Sequence, residues 1–293
     1  MTPPANKPLS SGKRPKPWWF RLIRAFVVTY LVVVILAMIF ENSLIYYPSK
    51  HPEGNWTPSG LVFEDAWITT EDGVKIHGWY VPCEQPQAYI LFAHGNAGNI
   101  TDRVELMREL HRRSRVATLF FDFRGYGRSE GSPNEAGILA DARAARKWLF
   151  ERAKITEKDF TESDIILMGE SLGGGVAVDL AAKDGARALI IENTFTSLPD
   201  VAARHFRFLP TKLLMRNRLN SLAKIGDFHG PLLQFHGDAD QVVAYELGQT
   251  LFVAANEPKQ FVTISGGDHN DGHTMLFYQT VDSFLNNLPK AKE

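Results

Sequence analysis

Ile165-Ile166-Leu167-Met168-Gly169-Glu170-Ser171-Leu172-Gly173-Gly174-Gly175 joins a short apolar run to a small-residue run that continues to Ala182. The first half reads as a buried strand and the second as a helix, with Gly169-Glu170-Ser171-Leu172-Gly173 as the turn between them. A serine hydroxyl is a poor nucleophile until it is lifted clear of the sheet and set beside a base. Gly-x-Ser-x-Gly does the lifting, because glycines on both sides let neighbouring backbone approach a sharply bent serine without a Cβ clash. The pentapeptide alone is a weak signal; strand before and helix after is the context that gives it meaning.

Outward from that turn, apolar runs alternate with helical patterns. Phe63–Thr70 and Val74–Val81 read as a hairpin around Glu71-Asp72-Gly73. Strands are predicted at 88–93, 116–121, 165–168, 188–191, 232–235 and 261–264, and helices at 102–113, 135–150, 172–182, 243–255 and 275–288. Apolar strands separated by helices imply a mostly parallel sheet covered on both faces, an α/β fold. No internal repeat is present.

A serine needs a base, and the base needs an acid to hold it. His269, in Gly266-Gly267-Asp268-His269-Asn270, follows the last predicted strand, where a loop delivers an imidazole to the carboxyl edge of the sheet. His273 lies at the onset of the final helix and reads as a surface or capping residue. The strand 232–235 runs into His236-Gly237-Asp238-Ala239-Asp240; spacing favours Asp240 over Asp238 only narrowly, since the acid must clear the strand end and bend back. Acyl transfer also requires fixed donors for an oxyanion. The backbone N–H groups of Leu172, at a helix start, and of Asn96, in His94-Gly95-Asn96-Ala97-Gly98-Asn99, are the candidates. His94 and His236 read as packed structural histidines. No His-x-x-x-His or Cys-x-x-Cys spacing supports a metal site, and the chemistry calls for no cofactor.

Composition bounds the rest. With 293 residues, 44% of them hydrophobic, the chain can bury a sizeable core. A net charge of -1 gives no overall pull toward nucleic acid, and the single cysteine, Cys83, excludes an internal disulfide. Residues 1–20 are basic and Pro-rich, and are expected to be disordered. From Ala25 to Phe40 the chain is uncharged and apolar, preceded by Trp18, Trp19, Arg21 and Arg24. Aromatic and arginine side chains at headgroup level make a span over 21–41 reasonable. A cleaved secretory signal is the competing reading, but Ala37-Met38-Ile39 lacks the second small residue of a cleavage site. A buried core helix is disfavoured because no side chain of the run suits water. Positive charge on the amino-terminal side places the tail in the cytoplasm and the rest on the far side, whether periplasm, lumen or exterior. Residues 42–60 read as a juxtamembrane linker and 61–293 as the catalytic domain, with a short helical cap over about 194–226.

His94 to Asn99, Asp122-Phe123-Arg124-Gly125-Tyr126-Gly127-Arg128-Ser129-Glu130-Gly131, Gly169 to Gly174, Glu192-Asn193-Thr194-Phe195, His236 to Asp240 and Gly267 to Asn270, taken in that order, resemble the α/β-hydrolase superfamily. The likeness runs from about residue 44 to the end and is nearest to the membrane-anchored "alpha/beta hydrolase domain-containing" serine hydrolases. It implies Ser171 as nucleophile, Asp240 rather than Asp238 as acid and His269 as base, acting on ester or thioester bonds, with serine peptidases as relatives and catalytically dead binding proteins as a further possibility in such families. Asp122 to Gly131 reads as an architectural turn in which Arg124 bonds local backbone. The expected substrate is a small-molecule or lipid acyl ester. The cap segment interleaves Phe206, Phe208, Leu213 and Met215 with Arg204, Arg207, Lys212, Arg216, Arg218 and Lys224. That pattern suits an amphipathic cap with a solvated basic face, or one that meets anionic lipid headgroups.

Overall fold

The structure, a computed structural model, describes residues 17–289. In chain order the elements are α1 (Trp18–Ile39), α2 (Glu41–Ile45), β1 (Tyr47–Pro48), β2 (Glu64–Thr69), β3 (Lys75–Val81), β4 (Ala88–Ala93), β5 (Ala97–Gly98), α3 (Val104–Ser114), β6 (Val116–Phe121) and α4 (Glu135–Ala153). They continue as β7 (Ile166–Glu170), α5 (Leu172–Asp184), β8 (Ala188–Glu192), α6 (Leu198–His205), α7 (Thr211–Leu214), β9 (Leu232–Gly237), α8 (Tyr245–Ala254), β10 (Lys259–Ile264) and α9 (Met275–Asn287).

Eight strands form one sheet in the order β10-β9-β8-β7-β4-β6-β3-β2. Every pairing from β10 to β6 is parallel; β3 runs antiparallel to both β2 and β6. Strands β4 and β6 are buried at every position, because helices cover both sides of the sheet. Side chains therefore divide by parity into two cores: Leu91, Leu119, Phe121, Leu167 and Leu189 face one way, and Ile90, Phe92, Phe120, Ile166 and Ile190 face the other. Each such side chain contributes about 1.5–3 kcal/mol when fully buried. From β4 the chain proceeds to β6 on one side and then returns to place β7 on the other, so the strand order reverses between β4 and β7. In an open α/β sheet the crevice beyond the carboxyl ends at such a reversal is where ligands bind.

The chain divides into two compact units, Met1–Phe40 and Glu41–Glu293. The first holds α1, of which no residue is buried. At 1.5 Å per residue its 22 residues extend about 33 Å, enough by length and composition to cross a membrane. The helix begins at Trp18, so the boundary expected at residue 20 falls inside it; the remainder of the expected basic tail, residues 1–16, lies outside the described residues.

The second unit begins at Glu41, and here the expected linker over 42–60 needs correction. β1 pairs in parallel with β5, while Tyr46 and Trp56 are buried. Glu41 is itself buried and accepts bonds from the backbone N–H of Arg216 at 2.9 Å and of Asn217 at 2.7 Å. Burial pushes its carboxyl up, but the Asn217 and Arg216 donors outweigh that and lower it. Prolines and glycines in this stretch shape a packed strap rather than a free tether. Arg124 also departs from expectation: besides its own N–H, its guanidinium reaches two side chains, Asp141 on α4 at 2.8 Å and Asp72 in the β2–β3 turn at 2.7 Å.

Candidate active site

Ser171 occupies the single residue between β7 and α5, with φ of 49° and ψ of -114°, a left-handed conformation that a side chain rarely adopts. Its neighbours make the bend possible. A Cβ on Gly169 would lie 2.3 Å from the Gly173 carbonyl oxygen, and one on Gly173 would lie 2.0 Å from that of Ala93. No side chain fits at either place, so α5 crosses the end of β4 at backbone contact. The serine N–H donates to the Glu192 carbonyl at 2.8 Å, and its own carbonyl accepts from Thr194 Oγ1 at 2.8 Å.

His269 stands over this turn, its Nε2 3.0 Å from Ser171 Oγ and its Nδ1 2.7 Å from Asp240 Oδ2. The other Asp240 oxygen accepts from the backbone N–H groups of Val242 and Val243, each at 2.8 Å. Burial alone would raise the Asp240 carboxyl. The nearby His236, the bond from His269 and the Val243 N–H overcome it and hold the group well below the usual carboxylate range. Asp240 is thus a fixed anion against Nδ1, and Nε2 is turned toward the serine hydroxyl. Asp238 points elsewhere, its Oδ1 accepting from the Gly266 N–H at 2.6 Å.

Both expected structural histidines are fully buried. Burial drives His94 down to about 4, so its imidazole is neutral and its Nδ1 donates to the Gly95 carbonyl at 2.7 Å. His236 does more than pack: its Nε2 donates to the Val243 carbonyl at 2.9 Å and lies 3.5 Å from Asp240 Oδ2, behind the acid. Asn96 is held through its other groups. Its side-chain amide donates to the Ile45 carbonyl, and its carbonyl accepts from the Tyr47 N–H and the Tyr126 hydroxyl. Leu172 opens α5, in the first turn, where backbone N–H groups have no intrahelical acceptor.

A cavity of about 300 Å³ lies in front of the serine, lined by Gly95, Asn96, Ala97, Asp102, Arg103, Glu170, Ser171, Glu192, Asn193, His269, Asn270 and His273. Several of these carry no assigned role in the sequence. Glu170 accepts from Arg103 Nε at 2.8 Å and from the Gly95 N–H at 3.0 Å, while His273 Nε2 sits 3.1 Å from Glu192 Oε2. His273 is therefore a wall of the cavity and not the surface or capping residue expected from its place before α9. The cue lay in spacing: Glu170 abuts the serine and Glu192 ends the next strand, so both had to reach the same sheet edge. Among the described residues no cluster of three or more His, Cys, Asp or Glu is arranged to hold a metal ion.

Comparison with known proteins agrees with this architecture. Residues 84–225 match the family model described as serine aminopeptidase, S33. The chain is 36% identical over 256 residues to an uncharacterized protein of Mycobacterium tuberculosis, covering 85% of this chain and 89% of that one. It is 34% identical over 265 residues to the alpha/beta hydrolase domain-containing protein WAV2 of Arabidopsis thaliana, covering 81% of this chain and 84% of the relative. Among solved structures, the Pyrococcus furiosus esterase Pf2001 superposes with a TM-score of 0.68 at 21% identity, over 83% of this chain and 97% of that one. At that identity the likeness speaks for the fold.

Proposed function

The chain belongs to the α/β-hydrolase superfamily, and from that premise we propose that it is a serine hydrolase cleaving carboxylic esters through an acyl-enzyme on Ser171. The observation that carries the reading is the continuous relay from Ser171 Oγ through His269 to Asp240, at 3.0 and 2.7 Å. Ser171 Oγ attacks the ester carbonyl and its proton passes to His269 Nε2. As the carbon–oxygen bond breaks, that proton goes to the departing alkoxide; water then repeats the sequence and frees the acid. Asp240 fixes the tautomer and stabilises the charged imidazole. The N–H groups of Leu172 and Asn96 receive the oxyanion, each worth about a hundredfold to a thousandfold in turnover.

The cavity lining favours a short, polar acyl or alcohol group over a long alkyl chain. Ala97 is its one apolar side chain, and three carboxylates and a guanidinium make up much of the wall. Thioesters fit the same chemistry. A second reading, a peptidase on the same triad, draws on the description of the family model matched at residues 84–225. Turnover of p-nitrophenyl esters from acetate to decanoate, set beside aminoacyl amides, tests both, with Ser171→Ala as the blank. Fast cleavage of the shortest esters supports the first reading; cleavage confined to the amides replaces it with the second.

Helix α1 supports a membrane anchor, with the residues before Trp18 cytoplasmic and the hydrolase domain on the opposite side. Retention in carbonate-washed membranes, with protease reaching the domain only from the far side, is the expected outcome. Release of the whole chain on washing contradicts it.

A further inference from the structure

Glu192-Asn193-Thr194 stood out in the sequence, yet none of the three reacts in the scheme above. Their contacts converge on the chain segments that carry all three members of the relay. Glu192 takes the Ser171 N–H on its carbonyl, and Thr194 Oγ1 donates to the Ser171 carbonyl, both at 2.8 Å, so the serine's peptide groups are held from both ends. Between them Asn193 is buried and left-handed, with φ of 46°. Its amide nitrogen donates to the His269 carbonyl at 2.7 Å, and its amide oxygen accepts from the Gly237 N–H at 3.0 Å. Gly237 ends β9, and its carbonyl in turn accepts from the Asp240 N–H at 3.3 Å.

We propose that Asn193, at the centre of this tripeptide, is a positioning residue that registers the base loop against the nucleophile and the acid. The inference rests on the triad reading above. The base loop, from residue 265 to 274, has no regular structure of its own, so the tie to the His269 carbonyl fixes the backbone from which the imidazole projects. Reaction requires both imidazole bonds at once, and misplacement by about 1 Å can cost a hundredfold in rate. The residue type follows from the geometry. Only a short amide offers a donor and an acceptor on adjacent atoms while tolerating a left-handed backbone, which Asn does better than most residues.

Asn193→Gly keeps the backbone and removes both ties; Asn193→Asp keeps the shape and the acceptor but turns the donor into a carboxylate facing the His269 carbonyl. Thr194→Val removes the bond to the Ser171 carbonyl at constant shape. On a short p-nitrophenyl ester, kcat of both Asn193 variants is expected to fall by about ten- to a hundredfold with KM within about threefold, and fluorophosphonate labelling to slow in parallel. The ratio of Asn193→Asp to wild-type kcat should climb as the pH falls toward about 5, because burial against the His269 carbonyl raises the new carboxyl above its ordinary value of about 3.9 and lets it regain a proton to donate. Thr194→Val should slow labelling by a smaller factor. If Asn193→Gly does not fold, Asn193→Asp decides. Folded Asn193 variants with kcat within twofold of wild type overturn the proposal, as does a loss that tracks only the folded fraction and leaves the pH ratio flat. A wild-type protein that takes neither ester nor fluorophosphonate overturns the hydrolase reading as well, and so is told apart from failure of this inference alone.

Discussion

Ser171, Asp240 and His269 are separated by 69 and 29 residues of sequence, yet their side chains meet at 3.0 and 2.7 Å. Replacing Asp240 by Asn leaves the shape but presents an amide to His269 Nδ1, which favours the wrong tautomer. Turnover should fall by about ten-thousandfold with KM little changed, as steady-state kinetics would record. His273 allows a separate test at this scale. Burial pulls its imidazole down, Glu192 and then Glu170 push it up against opposition from Arg103, and the net shift is upward from the usual 6.5. The folded protein thus favours the charged form. That contribution is complete below the unfolded value and is lost as pH rises through the folded one. Wild type should therefore exceed His273→Asn in thermal midpoint at about pH 6, and the gap should close by about pH 9; a gap independent of pH contradicts the pairing. The convergence of Ser171, Asp240 and His269 was legible because a strand end, a glycine and a polar side chain recur together at one sheet edge. His273 and Arg103 were not, since their reach into the cavity depends on how the loop before α9 and the turn before α3 fold over the sheet edge where Glu192 ends β8.

At the scale of elements, close approach explains what spacing alone left open. Helix α5 lies against the end of β4, and Gly173→Ala would drive a methyl carbon to 2.0 Å from the Ala93 carbonyl oxygen. Neither partner is a flexible side chain, so this substitution should abolish soluble expression or activity, whereas alanine at the open Gly266 should leave the fold intact apart from its left-handed strain. Arg124 stitches the β2–β3 turn, the loop after β6 and α4 into one corner. Arg124→Met strands the fully buried Asp141 carboxylate and should cost about 3–5 kcal/mol in denaturant melts, with Arg124→Met/Asp141→Asn costing less than the single change. Strand and helix positions here followed from periodicity, since buried parallel strands read as short apolar runs. The strap over 42–60 escaped that reading. Its order comes from Glu41, Tyr46 and Trp56 docking onto distant segments, and no local period announces such contacts.

For the molecule as a whole, the two units make separate demands. A chain beginning at Glu41 retains the carboxylate that the Arg216 and Asn217 N–H groups bind, and should fold and hydrolyse esters without membrane association. One beginning at Leu61 loses Tyr46 and Trp56 as well, and should melt at lower temperature or aggregate; equal melting of the two would show the strap to be dispensable. The segment 194–226, expected to be a cap, carries α6 and α7, with Lys212 paired to Asp200, Arg204 to Glu246 and Lys224 to Asp179. Much of its basic charge is thereby matched within the domain. If one serine becomes nucleophilic through one histidine, fluorophosphonate labelling followed by peptide mass analysis should locate it. A single adduct on Ser171, lost in His269→Ala, is expected; an adduct elsewhere, or one on Ser171 that forms as fast without His269, rules the relay out.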